Sequence, residues 1–223
     1  MARALRYAPK GGVRRVGHRT GSAADSIGVL RDGVHVTGVT AGQFSSIDAL
    51  EHMINELGPA FAWVSTWTTG LYDVERAAEL VKNERLLGVR MLLDRGTFEK
   101  SPTFAGPLIE ALGVDAFRCL GVHAKVTVLV DADLQPLAAM RSSMNLNKNL
   151  RTEQFDLSVD RDVAGFYADW FEGLWDEAGV GASNAEIIKA VYDRWVYSGS
   201  FVAEGAQEAD GPINLLGLEL GDV

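Results

Sequence analysis

Cysteine is nearly absent: Cys119 is the one such residue in a chain of 223. No disulfide can close within the chain, and a reducing, cytoplasmic setting is expected. Histidine is scarce as well, with His18, His35, His52 and His123 scattered along the sequence. They form no zinc-binding spacing, so no metal and no other cofactor is expected. No apolar run approaches the roughly 20 residues of a membrane span. The stretch MARALRYAPKGGVRRVGHRT is basic but lacks the apolar core of a signal peptide, so export is not expected.

Charge of one sign is missing at each end. Residues 1–19 hold Arg3, Arg6, Lys10, Arg14, Arg15 and Arg19 and no acid. After Arg194 come Glu204, Glu208, Asp210, Glu219 and Asp222 and no base. The basic start can grip phosphates or stay a solvated arm. The net charge of −9 argues against a surface coated for non-specific DNA binding, but not against a local basic patch.

What is present suits a globular α/β domain. Hydrophobic residues make up 47% of the chain and charged residues 23%, enough for a sizeable core. Residues 1–25 lack periodicity and read as a basic flexible arm. The stretch IGVLRDGVHVTGV places two apolar runs around Asp32-Gly33, a hairpin signal. SSIDALEHMINELGP has helical spacing, a serine at its start and Gly58-Pro59 at its end. The strand AFAWVSTW follows, then a helix over DVERAAELVKNERLLG and the strand VRMLLD. A weaker helix spans Phe104 to Leu112, before the strand AFRCL. Further strands are expected over HAKVTVLV, LAAMRSS and FDLSVD. The strongest helix lies near Val163 to Trp175, with Val163, Phe166, Tyr167, Trp170, Phe171, Leu174 and Trp175 on one apolar face. NAEIIKAVYDRWV reads as a last helix, and SGSF at 198–201 as a turn. This order predicts one α/β domain over 26–202 with a mixed sheet flanked by helices, followed by an acidic, flexible tail at 203–223.

Two stretches carry chemistry. In GVHAKVTVLVDAD, period-two alternation puts His123 and Lys125 on one face of a strand. A nitrogen base then stands beside a fixed cation. Downstream, RSSMNLNKNLRTEQFDLSVD offers Ser143, Asn145 and Asn147 as hydrogen-bond partners for phosphate oxygens. Arg141, Lys148 and Arg151 add positive charge, and Glu153 is placed to orient a histidine. These types together suit a nucleophile, a cation, a phosphate cradle and an orienting carboxylate.

The segment 121–177 resembles the phospholipase D superfamily, most closely its small single-motif nucleases. His123-Ala124-Lys125 matches the family's H-x-K. Ser142-Ser143-Met144-Asn145-Leu146-Asn147 matches its G-S-x-N-x-N, with serine for the first glycine. Glu153 falls where the family has an acid that orients its histidine. Two departures stand out. Val130 occupies the signature aspartate's position, with Asp131 one residue late. The interval from Lys125 to Ser142 is also about five residues longer than the pattern, which implies an extended hairpin through Asp133 and Pro136.

The resemblance implies a phospholipase D-like fold and metal-independent phosphodiester hydrolysis. His123 would form a phosphohistidine, and Lys125, Ser143 and Asn145 would hold the non-bridging oxygens. Glu153 would set the His123 tautomer. The mechanism needs two motifs and the chain has one, so a homodimer is implied. Nucleic acid is the expected substrate, with Arg14, Arg15, Arg141, Lys148 and Arg151 as candidate contacts. A fold that binds nucleic acid or a protein partner without turnover is the alternative. Phospholipid hydrolysis ranks lower, because the chain shows no clear amphipathic membrane segment.

Overall fold

The computed structural model describes residues 11, 13–17, 21–66, 68–100, 102–146, 151–179 and 182–205. Among them, eight strands form one mixed sheet in the order β1-β2-β8-β7-β6-β3-β4-β5. The strands are β1 Val13–Gly17, β2 His35–Thr40, β3 Ala60–Thr66, β4 Leu86–Asp94, β5 Phe117–Leu120, β6 Val126–Val130, β7 Pro136–Ser142 and β8 Glu153–Ser158. The helices are α1 Ala23–Ile27, α2 Ser46–Leu57, α3 Leu71–Lys82, α4 Arg95–Lys100, α5 Pro102–Leu112, α6 Arg161–Gly179 and α7 Ala182–Gly205. The expected α/β class with a mixed, helix-flanked sheet is what the chain forms.

Local chemistry explains the clearest elements. Ser45 caps α2 by accepting the Asp48 N–H, and the Asp48 carboxylate takes the Ser45 N–H in return. Gly58 ends that helix with φ 95°, a left-handed conformation that favours glycine, and its N–H bonds the Ile54 carbonyl at 2.9 Å. α6 lays Ala168, Phe171 and Trp175 over Trp63, Leu92, Val126, Val128 and Val130 on one sheet face. Trp63 and Phe171 stack at 5.6 Å between ring centres. The other face packs against α2, α3, α5 and α7 through a larger core. There Gly106 of α5 leaves room for the Trp195 ring of α7, where any Cβ would collide.

Several expected elements form differently. No hairpin spans Ile27 to Val39. A capping box between Ser22 and Asp25 starts α1, which takes Ile27 and ends at Gly28, residues 28–30 form no strand, and Asp32-Gly33 merely turns the chain into β2. β2 then pairs parallel with β1 and antiparallel with β8. The helix expected to reach Gly88 stops at Lys82, because residues 86–94 are claimed by parallel pairing with β3. Residues 198–201 continue α7 instead of turning, and so does the start of the expected tail. The expected flexible arm, 1–25, contains an edge strand, β1, and the first residues of α1. Residues 1–10 and 206–223 lie outside the described residues.

The topology gathers chemistry at one sheet edge. β6 and β8 run against the other strands. The starts of β6 and β8 therefore meet the ends of β2, β3 and β7. In open α/β sheets the carboxyl ends of parallel strands are where ligands bind.

Candidate active site

His123 and Lys125 stand at that edge, but not on the strand itself. β6 begins at Val126, and residues 122–125 form its approach. Two bonds hold this approach: the Lys125 carbonyl accepts the Ser142 N–H at 3.0 Å, and the Ala124 carbonyl accepts the Ser65 hydroxyl at 2.8 Å. His123 is exposed and Lys125 half-buried. The expected strand does not include them, but the two side chains meet: Lys125 Nζ lies 3.4 Å from His123 Nδ1 and donates to the His123 carbonyl at 3.0 Å. An ammonium only donates, so this contact makes Nδ1 the acceptor and leaves the proton of a neutral ring on Nε2. Burial pushes the Lys125 amine below its ordinary pKa, and the Glu153 charge opposes that shift.

The second arm runs from the end of β7. Ser142, standing where the family pattern has glycine, closes a tight local turn. Its hydroxyl donates to the Met144 carbonyl at 3.2 Å and accepts the Met144 N–H at 3.1 Å. Ser143 Oγ donates to the Glu153 carboxylate and accepts the Gln154 N–H at 2.9 Å. The backbone of Ser143 also extends the ladder to β8, donating to the Gln154 carbonyl at 3.0 Å. Asn145 is half-buried, and its Oδ1 is buried without a hydrogen-bond partner. The two ends of an amide are exchangeable by a flip, so this atom marks a place for an incoming donor or, flipped, for an acceptor such as a phosphate oxygen.

The remaining candidates separate from this cluster or fall elsewhere. Asn147 and Lys148 lie outside the described residues. Arg141 is turned toward α6, where its guanidinium sits 5.7 Å from the Tyr167 ring centre and donates to its hydroxyl at 3.3 Å. Arg151 is exposed on the loop before β8. Arg14 and Arg15 belong to the edge strand, opposite Val36 and Thr37 in the register. Asp131 is at the far end of β6, roughly 20 Å from Lys125 at the rise of an extended strand. Its carboxylate accepts the N–H groups of Asp133 at 3.0 Å and Gln135 at 2.8 Å, and so holds the expected extended hairpin turn. A register shift at Leu129/Val130 absorbs an extra residue in β7 there. His52 is buried against the Gly28 carbonyl at 2.8 Å. His35 is buried 4.0 Å from Asp160, and burial lowers its pKa against the pull of that carboxylate.

Two site-building residues escape motif reading: Ser65, which holds the Ala124 carbonyl, and Thr66, which accepts the Leu146 N–H at 3.2 Å. Their signal is the polar run STWTTG at the end of an otherwise apolar strand. Among the described residues, no group of three or more His, Cys, Asp or Glu is placed to hold a metal ion. No helix among them is long and apolar enough to cross a membrane.

Comparison with known proteins gives distant likenesses only. No family model matches the sequence, and no curated protein matches it. Among solved structures, a phospholipase D family member from Salmonella typhimurium, Nuc, superposes with a TM-score of 0.47 at 11% identity, over 64% of this chain and 93% of that one. An archaeal chromatin protein, TrmBL2, whose structure is described as showing a novel mode of DNA binding, superposes with a TM-score of 0.44 at 14% identity. That match covers 64% of this chain and 53% of the other.

Proposed function

We propose that the chain is a metal-independent phosphodiesterase, of the nuclease kind, that works as a homodimer. The observation that carries this reading is the contact of His123 with Lys125 beside the Ser143–Glu153 pair, all at one sheet edge. The reading is supported by the sequence order of these residues, which resembles the phospholipase D pattern, by the Ser142 N–H bond to the Lys125 carbonyl and by the action of the Glu153 charge on Lys125.

In the proposed reaction, His123 attacks phosphorus through Nε2 and the P–O bond to the leaving alcohol breaks. The leaving oxygen takes the proton of the partner's His123, which then takes a proton from water as that water attacks phosphorus, breaking the N–P bond and releasing the phosphate product. Lys125 and Asn145 neutralise and hold the non-bridging oxygens. The resting contact with Lys125 leaves Nε2 protonated, which suits the acid role. For the attacking copy, substrate phosphate must draw Lys125 away so that the ring proton can move to Nδ1. Glu153, bonded to Ser143 and acting on Lys125, assists that release. Nucleic acid fits as substrate because Arg14 and Arg15 sit on the edge strand and Arg151 on the loop beside Glu153. A cytoplasmic setting suits the lone buried Cys119.

The use of Asp131 as a turn clamp favours one second reading, a binding module without turnover. Incubating wild type and His123→Ala with single-stranded DNA, duplex DNA and RNA in a chelating buffer separates the two. Cleavage by wild type that is lost in the variant supports the enzyme. Equal binding by both proteins without cleavage establishes the module.

A further inference from the structure

We infer that Ser65 and Thr66 are positioning residues that clamp the two arms of the site from β3, so that the end of one strand sets their separation. This rests on the phosphodiester reading of the site. The two residues are consecutive and so face opposite sides of the sheet. Both are almost wholly buried, at 2% and 1% exposure. Each spends its hydroxyl on the backbone of a different arm.

The first grip is on the H-A-K arm. The ladder between β3 and β6 ends at Ser65 opposite Val126. Ala124, two residues earlier, is past the ladder, and the Ser65 hydroxyl takes its carbonyl at 2.8 Å. A side chain thus continues the restraint where backbone pairing stops, between the two residues that must meet.

The second grip is on the S-x-N arm. Thr66 Oγ1 accepts the Leu146 N–H at 3.2 Å while donating to the Thr68 carbonyl at 2.9 Å. That second bond folds the chain so that Thr69 bridges Leu146 and the Gly70 N–H reaches the Leu146 carbonyl at 2.5 Å. Leu146 is therefore held at both backbone groups. Asn145 lies between it and Met144, which is buried at 4% exposure. Its backbone is thus set between two fixed neighbours before any ligand arrives, and its amide keeps one buried atom without a partner. Such prior fixing is what makes a few polar groups effective on phosphate.

The test uses full-length protein with ¹⁵N-labelled histidine and orthophosphate as the probe. Ser65→Ala frees the Ala124 carbonyl, so the His123 Nδ1 resonance should move, with those of His35 and His52 unchanged. Thr66→Val keeps the volume but not the hydroxyl. Orthophosphate affinity should fall about tenfold, the equivalent of about 1.4 kcal/mol. Thr66→Ser should restore it. An unmoved Nδ1 resonance in Ser65→Ala overturns the clamp, as does a Thr66→Val loss that Thr66→Ser fails to recover. If wild type binds no orthophosphate, the phosphodiester reading falls, whereas the Nδ1 response to Ser65→Ala still decides the clamp.

Discussion

Ser143 gives its only hydroxyl proton to Glu153 and accepts the Gln154 N–H with the same oxygen. A serine so engaged has nothing left to donate to a phosphate while Glu153 is ionised. The bond therefore makes Ser143 a support for the carboxylate. Ser143→Ala should weaken orthophosphate binding by no more than about threefold, the scale of one indirect hydrogen bond. Asn145→Ala and Lys125→Met should each cost about tenfold or more, because a charged or directly bonded group is lost. Isothermal titration of the three variants ranks them. An equal loss in Ser143→Ala would mean that phosphate displaces Glu153 and takes the serine proton itself.

Lys125 makes the site costly to the fold. Its amine is held below the ordinary lysine value of 10.5 by burial, which outweighs the attraction of Glu153. A lysine whose folded pKa is depressed releases its proton earlier in the folded chain than in the unfolded one. Stability is therefore penalised below the folded pKa, and the penalty is relieved as pH rises toward 10.5. Lys125→Met should raise the melting temperature near pH 7, with the gain shrinking as the pH approaches 10.5, while phosphate binding weakens. Thermal melts from pH 7 to pH 10.5 check the trend. A gain that persists at the top of this range would assign the effect to packing alone.

Asp131 tests what the family pattern means in this chain. The carboxylate holds two N–H groups of the β6–β7 turn, at the opposite end of β6 from Lys125. Asp131→Ala should destabilise the fold by about 1 kcal/mol through loss of the turn bonds. Orthophosphate affinity should be unchanged. Chemical denaturation and the same phosphate titration report the two quantities separately. A large affinity loss at unchanged stability would show the aspartate acting on the site over a distance.

Much of this arrangement is legible in the sequence where the determinant is local. The helix over Ser46–Leu57 announces itself through apolar spacing, a capping serine and a terminal glycine. The two motif arms are legible because polar H-x-K and S-x-N groups flank apolar strand runs, although they lie just off the strands, before β6 and after β7. What the sequence hides is set by pairing between distant segments. Asp32-Gly33 looks like a hairpin turn because the signal is local, but the neighbours of β2 are β1 and β8. The run Leu86-Leu87 continues a helical pattern until β3 claims it as a strand. The roles of Ser65 and Thr66 arise from contacts across 59 and 80 residues, which no spacing rule reports. The orientation of Arg141 follows from its register opposite Val126, and that register is fixed by the hairpin bulge.

The last prediction concerns the sharing of one reaction between two chains. A single histidine cannot readily be the covalent nucleophile and the separate acid to the leaving group in the same step. Among the described residues, His35 and His52 are buried, each against a partner of its own, so neither offers the second role. The partner's His123 is the candidate, in a dimer whose two motifs face one cleft. Mixed dimers of wild type with His123→Ala then pair one intact motif with one damaged motif. They should lose nearly all steady-state turnover and at most trap a phosphohistidine, read by radiolabel retained on the wild-type chain. On the proposed dimer, turnover in chelating buffer should equal that in magnesium, since Lys125 and Asn145 from both copies would surround the phosphate. Mixed dimers that turn over at half the wild-type rate would show that each subunit works alone. Dependence on magnesium or zinc would replace the phosphohistidine mechanism altogether.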